Sequence, residues 1–389
     1  MITTRSDLHQ ALRSPALQRR SASVKKTVRY AVIGLGHIAQ SAVLPAFAHA
    51  RKNSRLVALI SDDPVKLQTL SRKYDVKFIY NYDRYEEFLR SGEIDAVYIA
   101  LPNHMHRDYA VRAAEAGIHV LCEKPMAIHE QECREMIEAA AQHDVKLMIA
   151  YRLHFEQANL EAIELAQSGK LGNLRLFNSV FCMQAKEDNI RLIREKGGGT
   201  LYDMGVYCIN AARYLFREEP LEVFAWSIQG SDPRFKEVDE ATCAIMKFPN
   251  DKLATFVTSF GAASTAAYRI VGAQGQLILD PAYEYAEELT ARSVINGKHK
   301  EKTYKPRDQF GPELLYFSDC ILKDIKPEPS GEEGLADIKI IEALHRSLAS
   351  RQPAVVEAIQ IDQRPSKAQE IQQPKAAPPK LVHTESPTQ

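Results

Sequence analysis

The stretch from Tyr30 to Ala50 constrains this chain more than any other. An apolar run, Tyr30-Ala31-Val32-Ile33, leads directly into Gly34-Leu35-Gly36-His37-Ile38-Ala39, and an apolar-periodic segment continues through Ala50. That order spells strand, glycine turn, helix. The first glycine permits the tight turn, the second lets the backbone approach a pyrophosphate, and the small Ala39 lets helix and strand pack closely. Amides at a helix N-terminus hold phosphates, so Gly34, Gly36, His37 and Ile38 are candidate nucleotide contacts. A bare Gly-x-Gly recurs by chance, and here the flanking strand and helix supply the meaning.

The same alternation continues downstream. Strands are expected at Leu56 to Ile60, Phe78 to Tyr80, Ala96 to Leu101, His119 to Cys122 and Lys146 to Ala150, with helices between them. Short apolar strands alternating with helices call for a doubly wound parallel sheet of Rossmann type over residues 28–150. Beyond Tyr151 the rhythm changes. One helix, Asn159 to Gln167, is followed by β-rich runs at Leu174 to Met183, Leu221 to Ile228, Ala241 to Phe248, Ala254 to Phe260, Tyr268 to Gly272 and Gln276 to Leu279. These imply a second, α+β domain over 151–356 built on a largely antiparallel sheet, closed by a helix marked by Leu335, Ile338, Ile341, Leu344 and Leu348. The fold class is therefore α/β plus α+β. Residues 357–389, rich in Gln, Lys and Pro, are expected to be a disordered tail.

Composition excludes several functions. Basic and acidic residues number 50 each in 389, so no global field favours nucleic acid or an anionic membrane. No window holds the roughly 18 apolar residues of a membrane helix. Six cysteines without a Cys-x-x-Cys pair or matching His spacing are expected to be reduced and mostly buried, and no metal site is expected, the His104-x-His106 pair included. Arg19-Arg20 resembles a twin-arginine signal, but the basic stretch that follows is no apolar h-region, and a cytoplasmic chain is expected. Residues 1–27 form a basic arm. From Met1 to Arg29 seven positive charges stand against one negative, so the rest of the chain is acidic by six.

Where the second strand ends, a carboxylate accepts hydrogen bonds from a ribose 2′-hydroxyl, whereas a cation holds a 2′-phosphate. Asp62 argues for NAD; Ser61 and Lys66 argue for NADP, toward which the balance tilts. Asp62 and Asp63 also suit the N-cap region of the next helix. At the carboxyl ends of the fourth and fifth strands stand Leu101-Pro102-Asn103-His104-Met105-His106 and Glu123-Lys124-Pro125, on the edge where such sheets bind ligands. A lysine beside a nicotinamide can hydrogen-bond a substrate hydroxyl and stabilise an alkoxide as hydride departs. Farther on, Gly197-Gly198-Gly199 opens a helix on which Asp203 and Tyr207, four apart, share a face.

Glu123-Lys124-Pro125 and the run Gly197 to Asn210, with Ala150-Tyr151-Arg152-Leu153-His154-Phe155 and Arg213-Tyr214-Leu215, resemble the glucose-fructose oxidoreductase, inositol dehydrogenase and rhizopine-catabolism family over about Thr27 to Val356. The likeness is to the glucose-fructose branch, which has Tyr where the inositol branch has His at position 207. The resemblance implies an open-faced sheet carrying the substrate pocket and NAD(P)-dependent hydride transfer on a sugar or polyol. It implies that Tyr207 exchanges a proton, Lys124 lowers the effective pKa of Tyr207 and binds the same oxygen, and Asp203 anchors the sugar. A free tyrosine titrates near 10, so such a role needs a neighbouring cation. The same resemblance puts Glu123, Tyr80, Arg152 and Arg191 on the cofactor, though Ile190 stands where a tryptophan is expected. Leu101, Pro102, Asn103 and His106 join the cofactor set, while Tyr151 and His154 are expected beside the sugar, His154 equally fitting a core position. It further implies a tightly bound cofactor and a homodimer or homotetramer, with the basic arm reaching a neighbouring subunit. Two other readings stay open at this point: an NAD-dependent glycoside hydrolase, and a catalytically silent nucleotide-sensing regulator.

Overall fold

The computed structural model describes residues 27–388. All but the last residue of the basic arm lies outside them.

Six parallel strands form the first sheet: β1 (Val28–Ile33), β2 (Ser54–Ile60), β3 (Phe78–Tyr80), β4 (Ala96–Ile99), β5 (His119–Glu123) and β6 (Leu147–Ala150). Their order is β3-β2-β1-β4-β5-β6, so the direction of winding reverses between β1 and β4. That reversal opens a crevice at the carboxyl ends of the two strands. Gly34 makes the crossing possible: its φ is +87°, and a Cβ there would stand 2.5 Å from the Ala100 carbonyl oxygen. Between the strands run helices at Pro64–Tyr74, His106–Glu115 and Glu130–Gln142.

The second sheet has nine strands. It comprises β7 (Leu174–Cys182), β8 (Glu222–Ile228), β9 (Ala241–Phe248), β10 (Lys252–Ser259), β11 (Thr265–Gly272), β12 (Gly275–Leu279), β13 (Leu289–Ile295) and β14 (Lys298–Tyr304), with the short β16 (Ala354–Val355) on its edge. Only β7 and β10 pair in parallel; every other neighbour is antiparallel. In β9 buried and exposed residues alternate, Thr242, Ala244, Met246 and Phe248 facing the core. The opposite face carries Leu176, Trp226, Ile228, Ile245, Leu253 and Val257 exposed to solvent.

Two features, a hairpin and a helix, differ from the sequence reading. Asn296-Gly297, both at positive φ, turns β13 into β14, a hairpin signal that was passed over. A helix at Phe310–Lys323, masked by Gly311-Pro312 at its start, packs back on the first sheet, with Ser318 Oγ 2.8 Å from Tyr30 Oη and 2.7 Å from Ser54 Oγ. The helix Gly331–Ser350 likewise bridges β6 and the helix at 130–142 to β8. The chain therefore returns to its first domain after building the second.

The expected disorder of the tail is not what the structure shows over 357–388. Composition weighs apolar content, but this segment is fastened by specific polar anchors. Arg364 meets Glu219 at 2.5 Å, Lys367 meets Glu161 at 3.0 Å, and the buried Gln369 donates to the Glu328 carbonyl at 3.0 Å. Gln373–Pro374 (β17) pairs with Arg307–Asp308 (β15), and Ile371 and Val382 pack on the core. All six cysteines are free thiols, five of them buried and Cys243 exposed. Among the described residues no helix is long and apolar enough to cross a membrane.

Candidate active site

The site assembles where the crevice of the first sheet meets the helix that follows the glycine run. Gly197 and Gly198 are there because nothing larger fits. A Cβ on Gly197 would stand 2.4 Å from Ile128 and 2.8 Å from Asn103, and one on Gly198 would stand 2.4 Å from the Arg191 carbonyl oxygen. Asn103, past the end of β4, donates to the Gly197 carbonyl at 2.8 Å and so ties the two domains together. The helix then begins with a wide turn at Leu201–Gly205 and continues as Val206–Phe216.

Lys124, immediately past β5, reaches across to that helix. Its Nζ donates to the Asp203 carbonyl at 3.0 Å, lies 3.5 Å from Asp203 Oδ1, and sits 4.6 Å from the centre of the Tyr207 ring. Arg191 Nε holds the other Asp203 oxygen at 2.8 Å. Burial alone would push the Asp203 carboxyl up, but the charges of Arg191 and Lys124 outweigh it and hold the group below its ordinary value. Asp203 is thus an anionic anchor between two cations. Arg152, buried, lies 5.1 Å from the Tyr207 ring centre, fixed by Gln309 at 2.5 Å and by the Tyr283 carbonyl. Phe181 and Tyr283 complete the aromatic wall around Tyr207, with ring centres 5.6 and 5.8 Å away.

On the nucleotide side the residues present fit a dinucleotide. Nothing lies within 4 Å of where a Cβ on Gly36 would stand, so the turn has room for a phosphate to approach its backbone. His37 and Ile38 are half-buried beside it. Burial, and then the charge of Arg191, push the His37 pKa down, so the loop and the second domain approach each other across the crevice. Asp63 is the N-cap, its Oδ1 accepting from Val65 N at 2.9 Å and Lys66 N at 3.0 Å, whereas Asp62 is exposed beyond β2. Ser61 is buried, with its Oγ accepting from Asp63 N at 3.2 Å. Tyr80, half-buried, ends β3 with its ring tilted against Phe88 at 4.7 Å; Leu101 and Pro102 line the end of β4.

Four of the candidate residues have their polar partners within the protein. His106 is buried with its nitrogens 2.9 Å from the Pro125 and Leu101 carbonyls, bracing the two loops from beneath. Tyr151 is buried and spends its hydroxyl on Asp337 at 2.6 Å. His154, also buried, spans Glu328 and Asn210 at 2.8 Å each, which is the core position open to it from the start. Glu123 is sunk against the sheet, accepting from Tyr98 at 2.8 Å. The polar groups of all four find their partners in the scaffold.

The sequence reading missed Glu313. It is fully buried on the helix at 310–323, and neither carboxyl oxygen has a hydrogen-bond partner among the described residues. Burial, and then the nearby Glu123 charge, push its pKa well up, so the native state keeps a proton that the unfolded chain releases above about pH 4.3. Stability therefore falls as pH rises through that value, by about 1.4 kcal/mol per pH unit until the folded pKa is reached. Glu313→Gln is expected to flatten this decline in urea midpoints measured across pH. A profile superimposable on the wild type would show that Glu313 is not the buried acid.

A nucleotide-binding crevice whose own lysine faces an aspartate and a tyrosine of a second domain defines an NAD(P)-dependent oxidoreductase. The description "Oxidoreductase family, NAD-binding Rossmann fold" fits residues 28–151, and the matching GFO/IDH/MocA C-terminal domain fits 159–278. The chain belongs to the Gfo/Idh/MocA family. An uncharacterized oxidoreductase of Rhizobium meliloti is 32% identical over 82% of this chain and 96% of its own length. The D-xylose 1-dehydrogenase [NADP(+)] of Haloarcula marismortui is 29% identical over 82% and 91%. Among solved structures, the aldose-aldose oxidoreductase from Caulobacter crescentus, complexed with glycerol, is 36% identical, with a TM-score of 0.81 over 85% of this chain and 99% of that one.

Proposed function

We propose that this enzyme moves hydride between NAD(P) and a carbon of an aldose-type sugar bearing a hydroxyl or carbonyl. One observation carries the reading: Lys124, from the nucleotide domain, lies between Asp203 and Tyr207 of the second. The nicotinamide, when bound, supplies the hydride donor or acceptor. Tyr207 exchanges the proton of the reacting oxygen. Of the three donors on Lys124, two face Asp203 and one remains for that oxygen. Lys124 and Arg152 both face the tyrosine ring and offset negative charge developing on its oxygen. Arg191 keeps Asp203 ionised to accept from a sugar hydroxyl.

The aldose assignment draws on the xylose and aldose-aldose relatives, and the preference for NADP on the former together with Ser61 and Lys66. The six free thiols suit a cytoplasmic setting. A homo-oligomer, dimer or tetramer, is proposed because the exposed sheet face gathers Trp226, Ile228, Ile245 and Val257, an apolar surface that a second copy would cover.

One experiment addresses cofactor and assembly together. Native mass spectrometry of the purified chain, repeated after denaturation, is expected to give a dimer or tetramer mass carrying NADP(H), and aldoses are expected to change the nicotinamide absorbance. A monomer would sink the sheet-face proposal. Nucleotide binding with no turnover on any aldose would sink the sugar assignment and favour a regulator, whereas release of sugar from an aryl glycoside without net reduction would favour the hydrolase.

A further inference from the structure

The end of the chain, Pro378 to Thr388, is held at three places, all on the rim of the nucleotide crevice. Gln40, in the helix opened by the glycine loop, accepts from Val382 N at 2.8 Å and donates to the Val382 carbonyl at 2.9 Å. The same amide donates to the Leu35 carbonyl at 2.9 Å, so one side chain fastens the tail to the loop between the two glycines. Gln40 is 1% exposed, and Val382, like Ile38, packs against the apolar cluster that contains Leu35. His383 Nδ1 then lies 3.1 Å from Asp63 Oδ2, at the end of β2 where the adenosine ribose is expected. Finally, Lys186 donates its backbone N–H to the Pro387 carbonyl at 3.1 Å, its Nζ meets Glu385 at 3.1 Å, and Ala185 bridges Thr388. Lys186 belongs to the second domain, on the segment leading from β7 to Arg191.

The tail therefore spans the crevice from one lip to the other. Among the described residues, none of its hydrogen bonds uses the amides of His37 and Ile38 that would receive phosphates, nor any atom of Lys124, Asp203 or Tyr207. It borders the site without consuming the groups that bind there. An occupant that consumed them would be a plug; this segment has the placement of a wall.

We infer that residues 378–388 form the outer wall of the dinucleotide site, a strap closed in cis over the pyrophosphate and adenosine ribose that retains NAD(P) between turnovers. The inference rests on the dinucleotide-dependent reading above. To leave, a nucleotide must wait for the anchors at Gln40, Asp63 and Lys186 to open, so the strap acts on the dissociation rate and leaves the nicotinamide end untouched.

Two variants test it: a chain ending at Ala377, and Val382→Asp in the full-length chain, which sets a charge against the apolar cluster on which Val382 packs. Thermal melts report whether each is folded. NADPH dissociation, followed by its fluorescence on displacement with excess NADP, is expected to be at least about tenfold faster in both than in the wild type. The denatured variants are expected to release less nucleotide by mass spectrometry. Unchanged dissociation rates in a folded variant would overturn the strap. Tighter binding by the truncated chain would overturn it too, making the segment a competitor for the site. If the full-length chain itself bound no dinucleotide, the cofactor reading would fall and the strap with it, an outcome visible before any variant is made.

Discussion

Replacing Tyr207 by Phe is expected to slow hydride transfer by about 10² to 10⁴ fold while leaving nucleotide binding near the wild-type value, the range associated with loss of a positioned acid-base group. The change removes one oxygen and keeps the ring that packs against Phe181 and Tyr283, so the wall of the site survives. Lys124→Ala is expected to cost a similar factor by a different route. It withdraws the ammonium from the reacting oxygen and also frees Asp203 of one of its two cations. Because the two groups act on one oxygen, the double variant should lose little more than the worse single one. Single-turnover measurements at saturating nucleotide separate this role from nucleotide binding: the hydride-transfer step itself should be slowed in the Phe variant. Wild-type transfer rates in both single variants would end the acid-base assignment.

Why these residues were legible in the sequence, and others were not, follows from how each is constrained. Gly34 and Gly36 answer demands of the backbone, a positive φ in one case and open space in the other, and such demands leave their mark at a fixed spacing. The six alternating strands were readable for a similar reason, since burial on both faces requires continuous apolar runs. Lys124, Asp203 and Tyr207 needed more: two are four apart on one helix, but the lysine joins them only through the fold, and the likeness to a family connected them in advance.

Side chains whose partners are remote in sequence are the hardest to place. Tyr151 bonds a carboxylate 186 positions away, and His154 one 174 positions away, so nothing local distinguishes a buried brace from a sugar contact. Glu313 sits in an unremarkable run on a helix that Gly311-Pro312 disguised. The tail was misread for the opposite reason. Its composition is that of a solvated chain, yet a handful of anchors, Arg364 on Glu219 and Gln40 on Val382 among them, suffice to hold it. Composition reports the average tendency of a segment, whereas order here depends on a few pairings.

The largest loss of stability is expected at Arg213. This side chain is fully buried and grips three carboxylates: Glu219 at 2.6 Å, Glu333 at 2.8 Å and Asp337 at 2.7 Å. Burial pushes Asp337 up to about 6 against the pull of the guanidinium, while for Glu333 Arg213 and then His154 outweigh burial and hold the carboxyl down. Arg213→Ala leaves these acids buried without their cation, and breaking such a pair from one side costs about 3 to 5 kcal/mol. Urea unfolding measures that loss directly. It also has a pH signature: protonation relieves the abandoned carboxylates, so the destabilisation should be larger at pH 8 than at pH 5. The network that Arg213 organises includes Asn210, Tyr151 and His154, and both Arg213 and Asn210 lie on the helix that begins at Val206 and carries Tyr207. The buried charges thus fix the bearing of the helix that presents the proposed acid-base group. A milder variant, Asn210→Ala, should therefore lower turnover at unchanged nucleotide affinity even where the fold is retained. Equal stability of Arg213→Ala and the wild type at pH 8 would show that the cluster does not hold that helix in place.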